Sequence, residues 1–71
     1  MEGLAVGRIV HYVSPVTGMC QGAIVAHVGE DLGDGVVNLG VFDRSGASLG
    51  RMGVCFDISK ASGTWHWPEK V

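Results

Sequence analysis

Residues 36 to 56 read VVNLGVFDRSGASLGRMGVCF, and this stretch decides the fold. Two runs rich in Val, Leu and Phe, residues 36 to 42 and 48 to 56, flank the polar segment DRSG. Asp and Ser bond their own backbone in tight turns, and Gly supplies the positive φ such turns need. A polar turn between two short apolar runs predicts a β-hairpin. The same grammar extends toward the N-terminus: CQGAIVAHV, residues 20 to 28, precedes the glycine-containing acidic segment GEDLGDG, and VGRIVHYV, residues 6 to 13, precedes SPVTG. Toward the C-terminus, DISKASG (57 to 63) reads as a loop or a single helical turn, and a short run TWHW is stopped by Pro68.

Twelve glycines among 71 residues argue against long helices, because each costs about 1 kcal/mol relative to alanine in a helix interior. Five short strands with turn chemistry between them predict an all-β chain, a five-stranded antiparallel meander curled into a small barrel. An SH3-like barrel is the first choice and an OB-like barrel the alternative. Gly22, Gly40 and Gly53 fall inside strands, where bends and bulges help so few strands to close. Residues 1–71 form a single domain, with no internal repeat or low-complexity segment.

Strand alternation assigns two faces. Ile24, Ala26 and Val28, then Val37, Leu39 and Val41, then Met52, Val54 and Phe56 are the expected interior. The opposite face mixes Val25, Val36 and Phe42 with His27, Asn38 and Arg51. A solvated face carries Lys, Glu and Thr instead, so this one reads as a surface that meets something.

Composition narrows the function classes. A chain of 71 residues that is 46% hydrophobic and only 17% charged has more apolar side chains than a small barrel can enclose. Domains of about 60 residues bury only about 60% of their unfolded surface. Burial against a second copy is the expected remedy, which points to a homo-oligomer. The net charge is −2, and Arg8, Arg44, Arg51, Lys60 and Lys70 are scattered. Duplex nucleic acid needs cations gathered on one face, so it is not an expected partner. No apolar run reaches the roughly 20 residues of a membrane span. The start MEGLAVGRIV has no basic n-region, so no signal peptide is expected and the cytoplasm is the expected location. Cys20 and Cys55 share no CxxC spacing and are expected as thiols.

Catalytic and metal motifs are weakly supported. His11, His27 and His66 occupy three different strands with no metal-ligand interval between them, so neither a metal nor another cofactor is expected. Either cysteine is more naturally a small core residue than a nucleophile beside a histidine. The aspartates sit in turns, where they serve the backbone. No enzymatic activity is expected. The run TWHWP is richer. One tryptophan suffices to plug a barrel end. The other is available to stack on a flat ligand, an interaction worth about 1–3 kcal/mol per base. The expected ligand-binding set is Trp65, Trp67, His66, Arg51, Asn38 and Tyr12.

Four pieces, IVHYVS (9 to 14), CQGAIV (20 to 25), VNLGVF (37 to 42) and GTWHWPE (63 to 69), resemble a family of short, mostly uncharacterised proteins of actinobacteria and their phages. They touch all but the fourth strand, and the C-terminal motif is the most specific. Gly22 stands where the family carries alanine, and the loop before Gly63 is short. The resemblance implies a phage or mobile-element origin and transfers no catalytic residue. In that setting the expected function is a homo-oligomeric binding protein that sequesters a nucleotide-like signal in the host cytoplasm and so counters immunity. Trp65 or Trp67 would stack the base, Arg51 would pair with phosphate, and Asn38 or His66 would read polar edges. Symmetry would bring copies of Arg51 or Arg8 together. A small structural, decoration or host-protein-binding accessory is the alternative.

Overall fold

The computed structural model describes residues 1–68; Glu69, Lys70 and Val71, and with them the end of the GTWHWPE motif, lie outside the described residues. Five strands form one antiparallel sheet: β1 (Ile9–Val13), β2 (Cys20–His27), β3 (Val36–Phe42), β4 (Ser48–Cys55) and β5 (Trp65–His66). Their order across the sheet is β4-β3-β2-β1-β5. The sheet curls into a half-barrel. Among the described residues its two edges meet where Phe56 bridges Trp65 and the Asp57 amide donates to the Trp65 carbonyl at 3.0 Å. Among the described residues no helix is long and apolar enough to cross a membrane, and segment 57 to 63 forms turns rather than a helical turn.

The turn residues behave as their chemistry demands. Asp43 Oδ1 accepts from the Ser45 amide at 2.8 Å, the Ser45 hydroxyl at 2.6 Å and the Ala47 amide at 3.1 Å, which closes the β3–β4 hairpin. Those bonds favour the carboxylate. They hold the Asp43 pKa below its ordinary value, with the Ser45 hydroxyl as the largest cause. Between β1 and β2, the buried Ser14 accepts the amides of Val16 and Thr17 on its hydroxyl.

The interior holds Val10, Tyr12, Ala23, Val25, Val37, Leu39, Val41, Val54 and Trp65. Trp65 is 0% exposed, and its indole Nε1 donates to the Gly35 carbonyl at 2.8 Å. Strand β3 buries Val37, Leu39 and Val41 as alternation predicts. In β2 the expected interior is inverted: Ala23 and Val25 are buried, whereas Ile24 is 40% exposed and Ala26 is also outside. A bulge lies between Val25 and His27, where two steps on β2 match one on β3. It resets the parity, so Val28 packs against the core again.

Strand β4 has its own bulge, between the pairs Leu39↔Arg51 and Val37↔Val54. Gly53 sits in it with φ +64, and its amide donates to Asn38 Oδ1 at 2.9 Å. The extra residue carries Met52 out to 83% exposure and returns Val54 to the core, with Phe56 partly buried beside it. Of the expected interior on β4, Met52 is therefore a correction. Gly22 and Gly40 are paired in register, outside both bulges. A side chain at either would meet nothing within 4 Å.

Candidate functional site

The half-barrel distributes the six expected ligand-binding residues rather than gathering them. Trp65 and Tyr12 are core residues. Asn38 braces the β4 bulge through Gly53. Trp67 is the second indole: it stands edge-on to Trp65 with centroids 5.1 Å apart, and the Arg8 guanidinium lies 5.6 Å above its ring. Both Trp67 and Arg8 lie by the start of β1, since Trp67 follows His66, the partner of His11.

Arg51 is exposed on β4 and donates to the carbonyl of its neighbour Gly50 at 3.1 Å. It shares the open side of the half-barrel with Tyr12, Val41 and Leu49, around a slot of about 80 Å³. The slot is also bordered by Ser14, Gln21 and Asp43. A wider depression of about 470 Å³ lies among Leu4, Val28, Glu30, Asp34 and Gly35. Its carboxylates make it unsuited to a phosphate, and the N-terminal amine already pairs with Asp34 there.

On the outer face, strand register builds a cluster that sequence spacing does not reveal. β1 pairs with β2 on one side and β5 on the other. His11 is thereby set against His66, and Val13 against Cys20. The rings of His11 and His66 meet edge-on with centroids 5.5 Å apart, and Cys20 Sγ lies 3.6 Å from His66 Nε2. One donor atom from each of His11, Cys20 and His66 lies within 4.8 Å of the other two. His66 is 3% exposed, and its Nδ1 has no hydrogen-bond partner among the described residues. Burial first, then the positive charges of Lys60 and His11, push its pKa below the ordinary histidine value. Both cysteines are free and exposed, not core residues as expected.

No protein family, curated protein or solved structure matches the chain.

Proposed function

We propose that the chain is a non-enzymatic, phage-type binding protein that acts as a homo-oligomer in the host cytoplasm and sequesters a nucleotide-like small molecule, so countering host immunity. The observation that carries this reading is the separation of Trp67–Arg8 from Tyr12–Arg51. An indole plane under a guanidinium suits a base, and an exposed guanidinium at an apolar slot suits a phosphate. Within one chain these lie toward opposite ends of β1, and the slot of about 80 Å³ is well below the roughly 300–1,000 Å³ of a ligand pocket. A ligand that uses both features bridges two copies, the base on Trp67 of one and the phosphate at Arg51 of the next.

The polar groups of the slot support binding without turnover. The Ser14 hydroxyl and the Asp43 carboxylate are engaged in turns, and no nucleophile–base pair faces the opening among the described residues. Isothermal titration with a panel of mono-, di- and cyclic nucleotides tests the proposal. Binding at one ligand per chain, confined to the oligomer, is expected, weakened at least about tenfold by Arg51→Ala and by Trp67→Ala, in line with about 1–3 kcal/mol per stacked base. Absence of heat from every member of the panel would reject it.

One observation favours the alternative, a decoration or host-protein-binding accessory. Ile9, Ile24, Gly40 and Gly50 line up across four strands on the outer face, with Phe42 beside them. Side chains at Gly40 and Gly50 would meet nothing within 4 Å, so the glycine end of this row is an open shelf that another backbone can approach closely. Under that reading the protein is retained on virions or on a host protein and binds no nucleotide.

A further inference from the structure

We propose that His11, Cys20 and His66 form a binding site for one borderline-soft divalent metal ion of the zinc type, with its fourth position open to solvent. The site lies on the outer face of β1, β2 and β5. It shares no residue with the Trp67–Arg8 and Tyr12–Arg51 features that carry the nucleotide reading.

Geometry is the first support. In a tetrahedral zinc site with Zn–S of about 2.3 Å and Zn–N of about 2.0–2.1 Å, sulfur and nitrogen ligands stand about 3.6 Å apart. Cys20 Sγ and His66 Nε2 are 3.6 Å apart. Two nitrogens on the same ion stand about 3.4 Å apart. With all three donors within 4.8 Å of one another, His11 needs a side-chain adjustment of no more than about 1.5 Å to complete the set.

The second support is the state of His66. One nitrogen of this buried ring has no partner among the described residues, and the other faces only a sulfur, which is a weak hydrogen-bond acceptor. Buried polar groups in native domains are nearly always matched, and an unmatched one calls for an explanation. Coordination through Nε2 would give that nitrogen a strong partner in place of the sulfur, and it leaves Nδ1 as the ring's N–H. Space and access are also present. Cys20 is exposed, and Gly22, the strand partner of His11, leaves open space where a side chain would stand. Two imidazoles and one thiolate are a donor set that suits zinc or cobalt better than calcium or magnesium, which take oxygen.

Binding proceeds by loss of the Cys20 thiol proton to solvent as the sulfur–metal bond forms, while the two neutral imidazoles donate lone pairs. Cobalt(II) titration of the full chain at neutral pH tests this. The expected result is one ion per chain, a thiolate-to-cobalt absorption in the near ultraviolet with tetrahedral bands in the visible, and about one proton released per ion. Zinc should displace the cobalt and bleach the spectrum. Cys20→Ser and His11→Gln, both at positions outside the core, should abolish the absorption. Cys55→Ser and His27→Gln should leave it intact. An absent band in the wild-type protein would overturn the proposal. So would a band that survives Cys20→Ser, or one that is lost in Cys55→Ser.

Discussion

Trp65 and Trp67 stand two residues apart and contribute differently. Trp65 fills the interior and satisfies the Gly35 carbonyl, whereas Trp67 packs on its edge and carries Arg8. Trp65→Phe should cost about 1–2 kcal/mol, since the buried carbonyl keeps its bond from the Phe56 amide at 3.1 Å. Trp65→Ala should cost about 3–5 kcal/mol, most of the stability of a domain this small. Trp67→Ala should cost no more than about 2 kcal/mol, and urea unfolding separates the three. The sequence shows two tryptophans on one side of a short strand. It cannot show which is enclosed, because that depends on which neighbours the strand meets. Asp43 offers a pH test at the same scale. Its folded pKa is lowered from 3.8, so its charge stabilises the fold above that pH and ceases to do so as pH falls through the lowered value. The melting-temperature advantage of wild type over Asp43→Asn should be full at neutral pH and should fade in that acid window.

Among the elements, the two bulges decide which face each strand buries. The β3 segment has regular alternation and its interior was legible residue by residue. β2 and β4 each carry an extra residue, and a single added residue exchanges the faces beyond it. Nothing in the local pattern around Ala26 marks the first bulge, where Ala, Val and Ile make both faces apolar. The second had a signal in Gly53, whose φ of +64 suits glycine. Gly53→Ala should therefore destabilise the domain by about 1–2 kcal/mol. By contrast, Gly50→Ala enters open space without a positive φ and should be neutral or stabilising by up to about 1 kcal/mol. Thermal unfolding of the two variants checks this directly. Equal damage from both would contradict the assignment of the constraint to the positive φ of Gly53. The His11, Cys20 and His66 cluster escaped the sequence for a related reason. Its members come from three strands, and the meeting of β5 with β1 is a long-range pairing that no ligand spacing encodes.

For the whole molecule, the all-β class, the strand count and the antiparallel connection were legible because turn chemistry is local. How far the barrel closes was not, because it depends on the curl of the sheet and on bulge positions. The Cα radius of gyration of 11.1 Å matches the value of about 11 Å expected for a folded chain of this length. The ten large hydrophobic residues left exposed among the described residues therefore surround a formed core. Ile9 and Ile24 adjoin on the outer face, and a contiguous apolar patch is what marks an association surface; the placement of Trp67–Arg8 outside the slot that Arg51 borders is the reason to place a shared ligand between copies. Native mass spectrometry of the protein after incubation with host extract measures both parts of that account in one spectrum. The account predicts a homo-oligomer carrying a nucleotide-like molecule that heating releases unchanged. A ligand-free monomer in every extract would contradict it.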